Sequence, residues 1–230
     1  MAVVRRIRCL VRSVTDHGER VYTVELAPSV PVPQFKPGQF LHLAIDPYDG
    51  AGFWPESRVF SIASSPLTTD RLTITYAVKG AFTSRMEREL VPGATVWAKL
   101  PYGEFVIDDR RDAVLFAGGT GITAFTAFLQ SLTPNHQARV LLLYGARNAG
   151  LFVYRALVEA CAGMATSLTA RFVPEETHGR LDVGSARPSI AALDEPVFYV
   201  SGPPAMLTAI TSQLLGCDVP ADRIRTDAWE

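Results

Sequence analysis

Ala113-Val114-Leu115-Phe116-Ala117-Gly118-Gly119-Thr120-Gly121-Ile122-Thr123-Ala124 is the stretch that decides the fold. Its opening apolar run, unbroken by any polar position, reads as a strand buried on both faces. The glycines turn the chain, and Ile122 to Leu132 reads as the helix that follows. From Gly119 the turn also spells G-x-G-x-x-A, ending at Ala124. Strand, glycine turn and helix in that order suit a dinucleotide pyrophosphate, because glycine allows close backbone approach and a helix start offers N–H groups with a positive dipole. A tight turn that binds nothing would look the same. No Gly-Lys-Ser or Gly-Lys-Thr follows, so a Walker loop is excluded. The acidic residue expected about 20 positions on is missing. Tyr144-Gly145-Ala146-Arg147 stands there, and Arg147 could neutralise a 2′-phosphate or simply be solvated.

Moving toward the C-terminus, Arg139 to Tyr144 reads as a strand and Leu151 to Cys161 as a helix. A third strand precedes Pro174-Glu175-Glu176, Pro196 to Ser201 is a further buried strand, and Ala205 to Leu215 is a helix. This alternation predicts a Rossmann-like parallel α/β domain over residues 110–230. Ser201-Gly202-Pro203-Pro204 ends a strand and opens a helix, with prolines where the N–H groups would be orphaned anyway. Beside the glycine turn it predicts the second wall of a crevice at the carboxyl edge of the sheet.

Moving toward the N-terminus, past the charged run Asp108 to Asp112, the period changes to two. Ile7, Cys9 and Val11 alternate with arginines, and the rhythm returns at Val24 and Leu26, and at Leu41, Leu43 and Ile45. With Arg58 to Ala63, Leu72 to Val78 and Thr95 to Leu100 these predict a small antiparallel six-stranded barrel over residues 1–109, punctuated by turns such as Lys36-Pro37-Gly38. Ser84 to Glu87 has capping-box spacing and predicts a short helix from Arg85 to Leu90 between two strands. On the strand Arg58-Val59-Phe60-Ser61, Arg58 and Phe60 point one way and Val59 and Ser61 the other. Gly80-Ala81-Phe82-Thr83 puts a glycine, a hydroxyl and a helix start together, the ingredients of a second anion site. Taken singly, an edge-strand arginine and a capped helix explain these two segments equally well.

Composition narrows the function. The 230 residues are 48% hydrophobic and 20% charged, and 22 Lys plus Arg against 23 Asp plus Glu leave a formal charge of -1. No chain-wide positive field exists for a nucleic acid. No apolar run approaches the roughly 20 residues of a membrane-spanning helix, and the early arginines deny the first residues the core of a secretory signal. Cys9, Cys161 and Cys217 are too scattered for a disulfide framework, a metal site or a ligated iron-sulfur cluster, which points to a reducing, cytoplasmic setting.

Together and in this order, Lys36 to Gln39, Arg58 to Ser61, Gly80 to Thr83, Pro101-Tyr102-Gly103, Gly118 to Thr123 and Ser201 to Met206 resemble the signatures of the ferredoxin-NADP reductase superfamily, from about Arg8 to Trp229. The resemblance implies a flavin-binding barrel followed by a nicotinamide nucleotide domain. By it Arg58 holds the flavin pyrophosphate, Phe60 lies against the isoalloxazine, and Ser61 sits near its reactive nitrogen. Thr83 binds the pyrophosphate at the helix start, with Val59, Tyr76, Val78, Gly80, Phe82 and Ser84 lining the flavin site. Gly119, Thr120, Gly121, Thr123, Arg147, Ser201, Gly202 and Pro203 line the nicotinamide nucleotide site, Trp229 covers the flavin as a gate, and Ser61, Thr120 and Ser201 serve the reaction.

Two positions depart from the family pattern: Phe60 stands where a Tyr is usual, and Ser201 where many members have Cys. The donor set at Arg58, Gly80 and Thr83 suits a pyrophosphate, so the resemblance implies FAD rather than FMN, with NADH or NADPH as reductant. The implied activity passes electrons from the nicotinamide through FAD to a separate ferredoxin or oxygenase component. The alternative is a flavin-binding regulatory module without turnover.

Overall fold

The computed structural model describes residues 3–227 and divides into two compact units, Met1–Val106 and Ile107–Glu230. The division falls just ahead of the charged run Asp108 to Asp112, three residues before the expected one. The Asp108 N–H donates to the Tyr199 hydroxyl at 2.9 Å, tying the run to that unit's core.

In the first unit, β1 (Arg5–Asp16), β2 (Val21–Pro28), β3 (Phe40–Ala44), β4 (Ser57–Ser61), β5 (Leu72–Ala77) and β6 (Thr95–Tyr102) form one antiparallel sheet in the order β4-β3-β6-β1-β2-β5. Beyond the end of β4, the Ala63 N–H donates to the Thr73 carbonyl of β5 at 2.9 Å, so the two outer strands meet and nearly close a barrel. The alternation seen in the sequence survives as burial: Ile7, Cys9, Val11, Val24, Leu26, Leu41 and Leu43 face the core. Helix α1 (Ala81–Glu89) adds Phe82 and Met86 to that core.

The Lys36-to-Gln39 and Pro101-to-Gly103 motifs prove to be two halves of one contact. The Gln39 side-chain amide donates to the Gly103 carbonyl at 3.1 Å, and a Cβ on Gly38 would lie 2.0 Å from the Phe105 carbonyl oxygen. These motifs tie the segment before β3 to the end of β6.

In the second unit, β7 (Ala113–Gly118), β8 (Val140–Ala146), β9 (Leu168–Pro174), β10 (Val197–Ser201) and β11 (Ile224–Thr226) form a parallel sheet in the order β11-β10-β7-β8-β9. Helices α2 (Thr123–Leu129), α3 (Arg155–Met164), α4 (Glu175–His178), α5 (Val183–Ile190) and α6 (Pro204–Leu215) connect or cover the strands. All the residues of β7, β8 and β10 are buried, as an unbroken apolar run requires.

Helix boundaries differ from the sequence expectation in several places. Ile122 ends a 3-10 turn, Gly119–Ile122, and α2 stops at Leu129. A second 3-10 turn, Ala149–Leu151, takes up what read as the start of α3. In both places the loop tightens to i→i+3 bonds before the helix proper. Helices α4 and α5 were not marked by any apolar period; α5 even contains Pro188. No helix among the described residues is long and apolar enough to cross a membrane.

Candidate cofactor sites

In the first unit the site residues gather where β4, β5 and α1 meet. The β3–β4 register sets Leu43 opposite Arg58 and Leu41 opposite Phe60, so Arg58 and Phe60 share one face, and Val59 lies on the other beside His42. The Arg58 guanidinium carbon stands 4.9 Å from the centroid of the Phe82 ring, in the first turn of α1. It also donates to Glu56 at 2.8 Å and to the Ser57 carbonyl at 2.8 Å. Phe60 meets Tyr76 of β5 edge-on, with centroids 6.2 Å apart, and Tyr22 packs on the far side of Tyr76 at 5.6 Å. Ser61 is buried at the end of β4, and Val78 follows β5, where its N–H donates to the Arg20 carbonyl.

The helix start differs from the expected capping box. The Thr83 hydroxyl, not Ser84, accepts the N–H groups of Lys79 and Gly80, at 2.9 and 3.1 Å, and α1 begins at Ala81. Ser84 already lies inside the helix, its N–H bonded to the Gly80 carbonyl. Glu87 is drawn away from any cap by Arg20 and the Tyr22 hydroxyl, each 3.0 Å from one of its carboxylate oxygens. That ion pair holds the Glu87 carboxyl below its ordinary range, chiefly through the Arg20 hydrogen bond.

Two observations fit this corner to a flavin dinucleotide. The first turn of α1 carries no carboxylate, so its N–H groups present an anion-binding end beside Arg58, whose one carboxylate partner is the exposed Glu56, and the space beside Gly80 is open. The Tyr76 hydroxyl is buried and has no hydrogen-bond partner among the described residues, beside the phenyl ring that lacks a hydroxyl of its own.

In the second unit the glycines divide their work. A Cβ on Gly121 would lie 2.3 Å from the Ser201 carbonyl oxygen, and one on Gly118 would lie 2.3 Å from the Met206 sulfur. Gly202 approaches the Gly118 backbone from the other side. These three let the ends of β7 and β10 close on each other. Gly119 is different: its φ of +53° is in the left-handed region, and a Cβ there would meet nothing within 4 Å. It is the open position of the turn. Thr120 is half-buried and accepts the Thr123 hydroxyl at 2.8 Å through its carbonyl. Pro203 caps α6 and Pro204 occupies its first position.

The sheet order reverses at β7 and β10, since β8 and β9 lie to one side and β11 to the other. That switch point is where open α/β sheets bind ligands.

Sequence reasoning missed Asp227. It is buried, and its carboxylate accepts the Ser201 hydroxyl at 2.8 Å while its N–H donates to the Val200 carbonyl. Only the pairing of β11 with β10 brings these two positions together. Arg147 is exposed after β8, and its carbonyl accepts the Glu176 N–H at 3.1 Å, which sets α4 and its two carboxylates next to it. Trp229 lies outside the described residues.

Residues 115–212 match the family described as the oxidoreductase NAD-binding domain. Among curated relatives, the chain is 28% identical over 231 residues to the ferredoxin reductase component of 3-ketosteroid-9-alpha-monooxygenase from Mycolicibacterium smegmatis, covering 96% of this chain and 64% of the relative. It is 26% identical to a flavohemoprotein of Rhizobium meliloti, covering 90% and 56%. The chain thus spans less than two thirds of either relative.

Among solved structures, an Amycolatopsis cytochrome P450 reductase superposes with a TM-score of 0.84 at 22% identity, over 99% of this chain and 70% of that one. The ferredoxin-NADP+ reductase of Plasmodium falciparum gives 0.82 at 14% identity, over 97% and 96%. The chain therefore has the two-domain fold of the ferredoxin-NADP reductases.

Proposed function

We propose that the protein is an FAD-dependent NAD(P)H oxidoreductase that delivers electrons to a separate electron-accepting protein. One observation carries the reading: an NAD-binding domain shares the chain with a barrel whose acid-free α1 start, Arg58 and orphaned Tyr76 hydroxyl fit a flavin dinucleotide. Bound FAD would supply the chemistry, accepting two electrons together and releasing them singly.

The protein supplies binding and electrostatics. Arg58 and the N–H groups at the start of α1 hold the pyrophosphate, with Thr83 fixing the turn. The exposed Arg58–Glu56 ion pair is weak enough for a phosphate to displace Glu56. Phe60 offers an apolar ring to the flavin face, and Ser61 lies at the strand end beside it. The side chain of Val59 faces the other way, beside His42, so any part it has in binding is through its backbone. In the second unit the turn from Gly119 to Gly121, with Thr120 and Thr123, takes the nicotinamide dinucleotide, and Ser201, oriented by Asp227, borders it with Gly202 and Pro203. Arg147 and the α4 carboxylates flank the adenosine end.

The test is anaerobic mixing of the FAD-loaded protein with NADH or NADPH in a stopped-flow instrument. Loss of flavin absorbance within seconds is the expected result; an unreduced flavin would leave a binding module and sink the enzyme reading.

A further inference from the structure

The connection between β5 and α1, Val78 to Gly80, is the corner that takes the flavin pyrophosphate in the proposed function, and the turn between β1 and β2 grips it from outside. That turn is left-handed over three successive residues, with φ of +78° at Gly18, +47° at Glu19 and +59° at Arg20. Hairpin turns favour such angles, but with Gly, Asn or Asp in place. At Glu19 and Arg20 the Cβ crowds the following carbonyl, so both positions are strained. Hydrogen bonds close the turn all the same: the His17 N–H donates to the Val21 carbonyl at 2.9 Å, the Val21 N–H to the Gly18 carbonyl at 3.0 Å, and the Gly18 N–H to the Asp16 carboxylate at 2.8 Å. Strain of this kind persists where the surroundings over-determine it, and it marks places that hold something else in position.

Arg20 is held at both of its ends. Its carbonyl accepts the Val78 N–H at 3.0 Å, and its guanidinium donates to both carboxylate oxygens of Glu87, through Nε at 3.0 Å and through Nη2 at 2.5 Å. Val78 opens the corner, and Glu87 stands in the second turn of the helix that closes it. The Tyr22 hydroxyl donates to the same carboxylate at 3.0 Å, and Tyr22 lies opposite Tyr76 in the β2–β5 register. One residue thus bridges the strand end and the helix on either side of the corner, and its two-pronged contact fixes direction as well as distance. The bridge also has an electrostatic side. Glu87 lies about 9 Å along the helix from Ala81, about one Debye length, so its bare charge would oppose an anion at the helix start. Arg20 cancels that charge. The Arg20 side chain is 57% exposed, so the pair adds little to the stability of the protein itself.

We propose that Arg20 is a positioning residue for the flavin dinucleotide: from the strained turn it sets the corner from Val78 to Gly80 and neutralises Glu87, so that the N–H groups of α1 and Arg58 are already in place for the pyrophosphate. It acts through Val78 and Glu87. The inference rests on the flavin reading of this corner. The contact to Val78 is made by the backbone and survives a change of side chain, whereas the contact to Glu87 does not, so side-chain variants isolate the second. A tie that only held the hairpin to the helix would register in stability and leave the affinity for FAD alone.

The test is fluorescence titration of the flavin-free full chain with FAD, alongside thermal unfolding of the same flavin-free proteins. Arg20→Gln should raise the Kd for FAD at least about fivefold while the thermal midpoint stays within about 2 °C of the wild type. Arg20→Lys, which keeps the charge and loses the fork, should fall between the two. The exchange Arg20→Glu/Glu87→Arg restores an ion pair across the same gap and should bring the Kd back to within about twofold of the wild type. Arg12→Gln, which removes an equal charge and the exposed pair with Glu25 from the same hairpin, should change the Kd by less than about twofold. An unaffected Arg20→Gln protein, an equal effect of Arg12→Gln, or a weakened affinity that follows a fallen midpoint and is not recovered by the exchange would overturn the proposal. A wild-type chain that binds no FAD overturns the flavin reading, and this inference with it; a wild type that binds FAD beside an unaffected Arg20→Gln protein overturns this inference alone.

Discussion

Tyr76 and Arg58 make opposite predictions for the empty and the loaded protein. A buried hydroxyl without a partner costs about 1–3 kcal/mol, so Tyr76→Phe should leave the flavin-free protein as stable or up to about 1 kcal/mol more stable. If the hydroxyl serves the cofactor, the same variant should bind FAD several-fold more weakly, read by flavin fluorescence titration. Arg58→Ala removes from the protein itself an exposed ion pair and one cation–π contact with Phe82, so its thermal midpoint should change little. Its FAD affinity should fall by tenfold or more, about 1.4 kcal/mol, and the purified protein should be largely colourless. Cys9 gives a pH prediction. Burial pushes its thiol up to about 12, so the folded state keeps the proton longer than the unfolded chain does. Its contribution to stability is full below pH 9 and is lost as pH rises from there toward 12, which urea titrations of the wild type and Cys9→Ala across that range would show by converging at high pH.

At the scale of elements, the turn between β7 and α2 depends on space and not on conformation alone. Gly121→Ala would drive a methyl into the backbone of Ser201, which has no flexible end to move, so the second unit should lose about 1–3 kcal/mol or fail to fold. Gly80→Ala, with open space and an extended φ of -162°, should leave stability unchanged. Urea unfolding of the two variants checks the contrast. The start of α1 was legible only in part. Glycine, hydroxyl and helix were readable from Gly80 to Thr83, but local spacing made Ser84 and Glu87 a capping pair. Glu87 answers instead to Arg20 and Tyr22, distant in sequence, and this competition decided the boundary.

At the scale of the whole molecule, the remaining prediction concerns the reductant. Because α4 lies beside Arg147, its carboxylates Glu175 and Glu176 would oppose the 2′-phosphate of a nucleotide whose adenosine end binds at Arg147, although Arg180 holds Glu175 at 2.9 Å. NADH should be preferred in kcat/KM, and Glu175→Gln/Glu176→Gln should shift the ratio toward NADPH by about tenfold; an NADPH preference in the wild type would refute this. The sequence by itself determined the two architectures, because a period of two and an unbroken apolar run state which faces of a strand are buried. It also singled out Arg58, Phe60, Gly80, Thr83 and the turn from Gly118 to Thr123 as candidates, since such sites sit where local patterns change from strand to turn to helix. Only the tertiary structure decided that Asp227 meets Ser201, that Tyr76 brings an unpartnered hydroxyl to Phe60, and that Arg20 reaches both Val78 and Glu87. Those juxtapositions depend on strand order and register, which are fixed by packing between segments far apart in the chain.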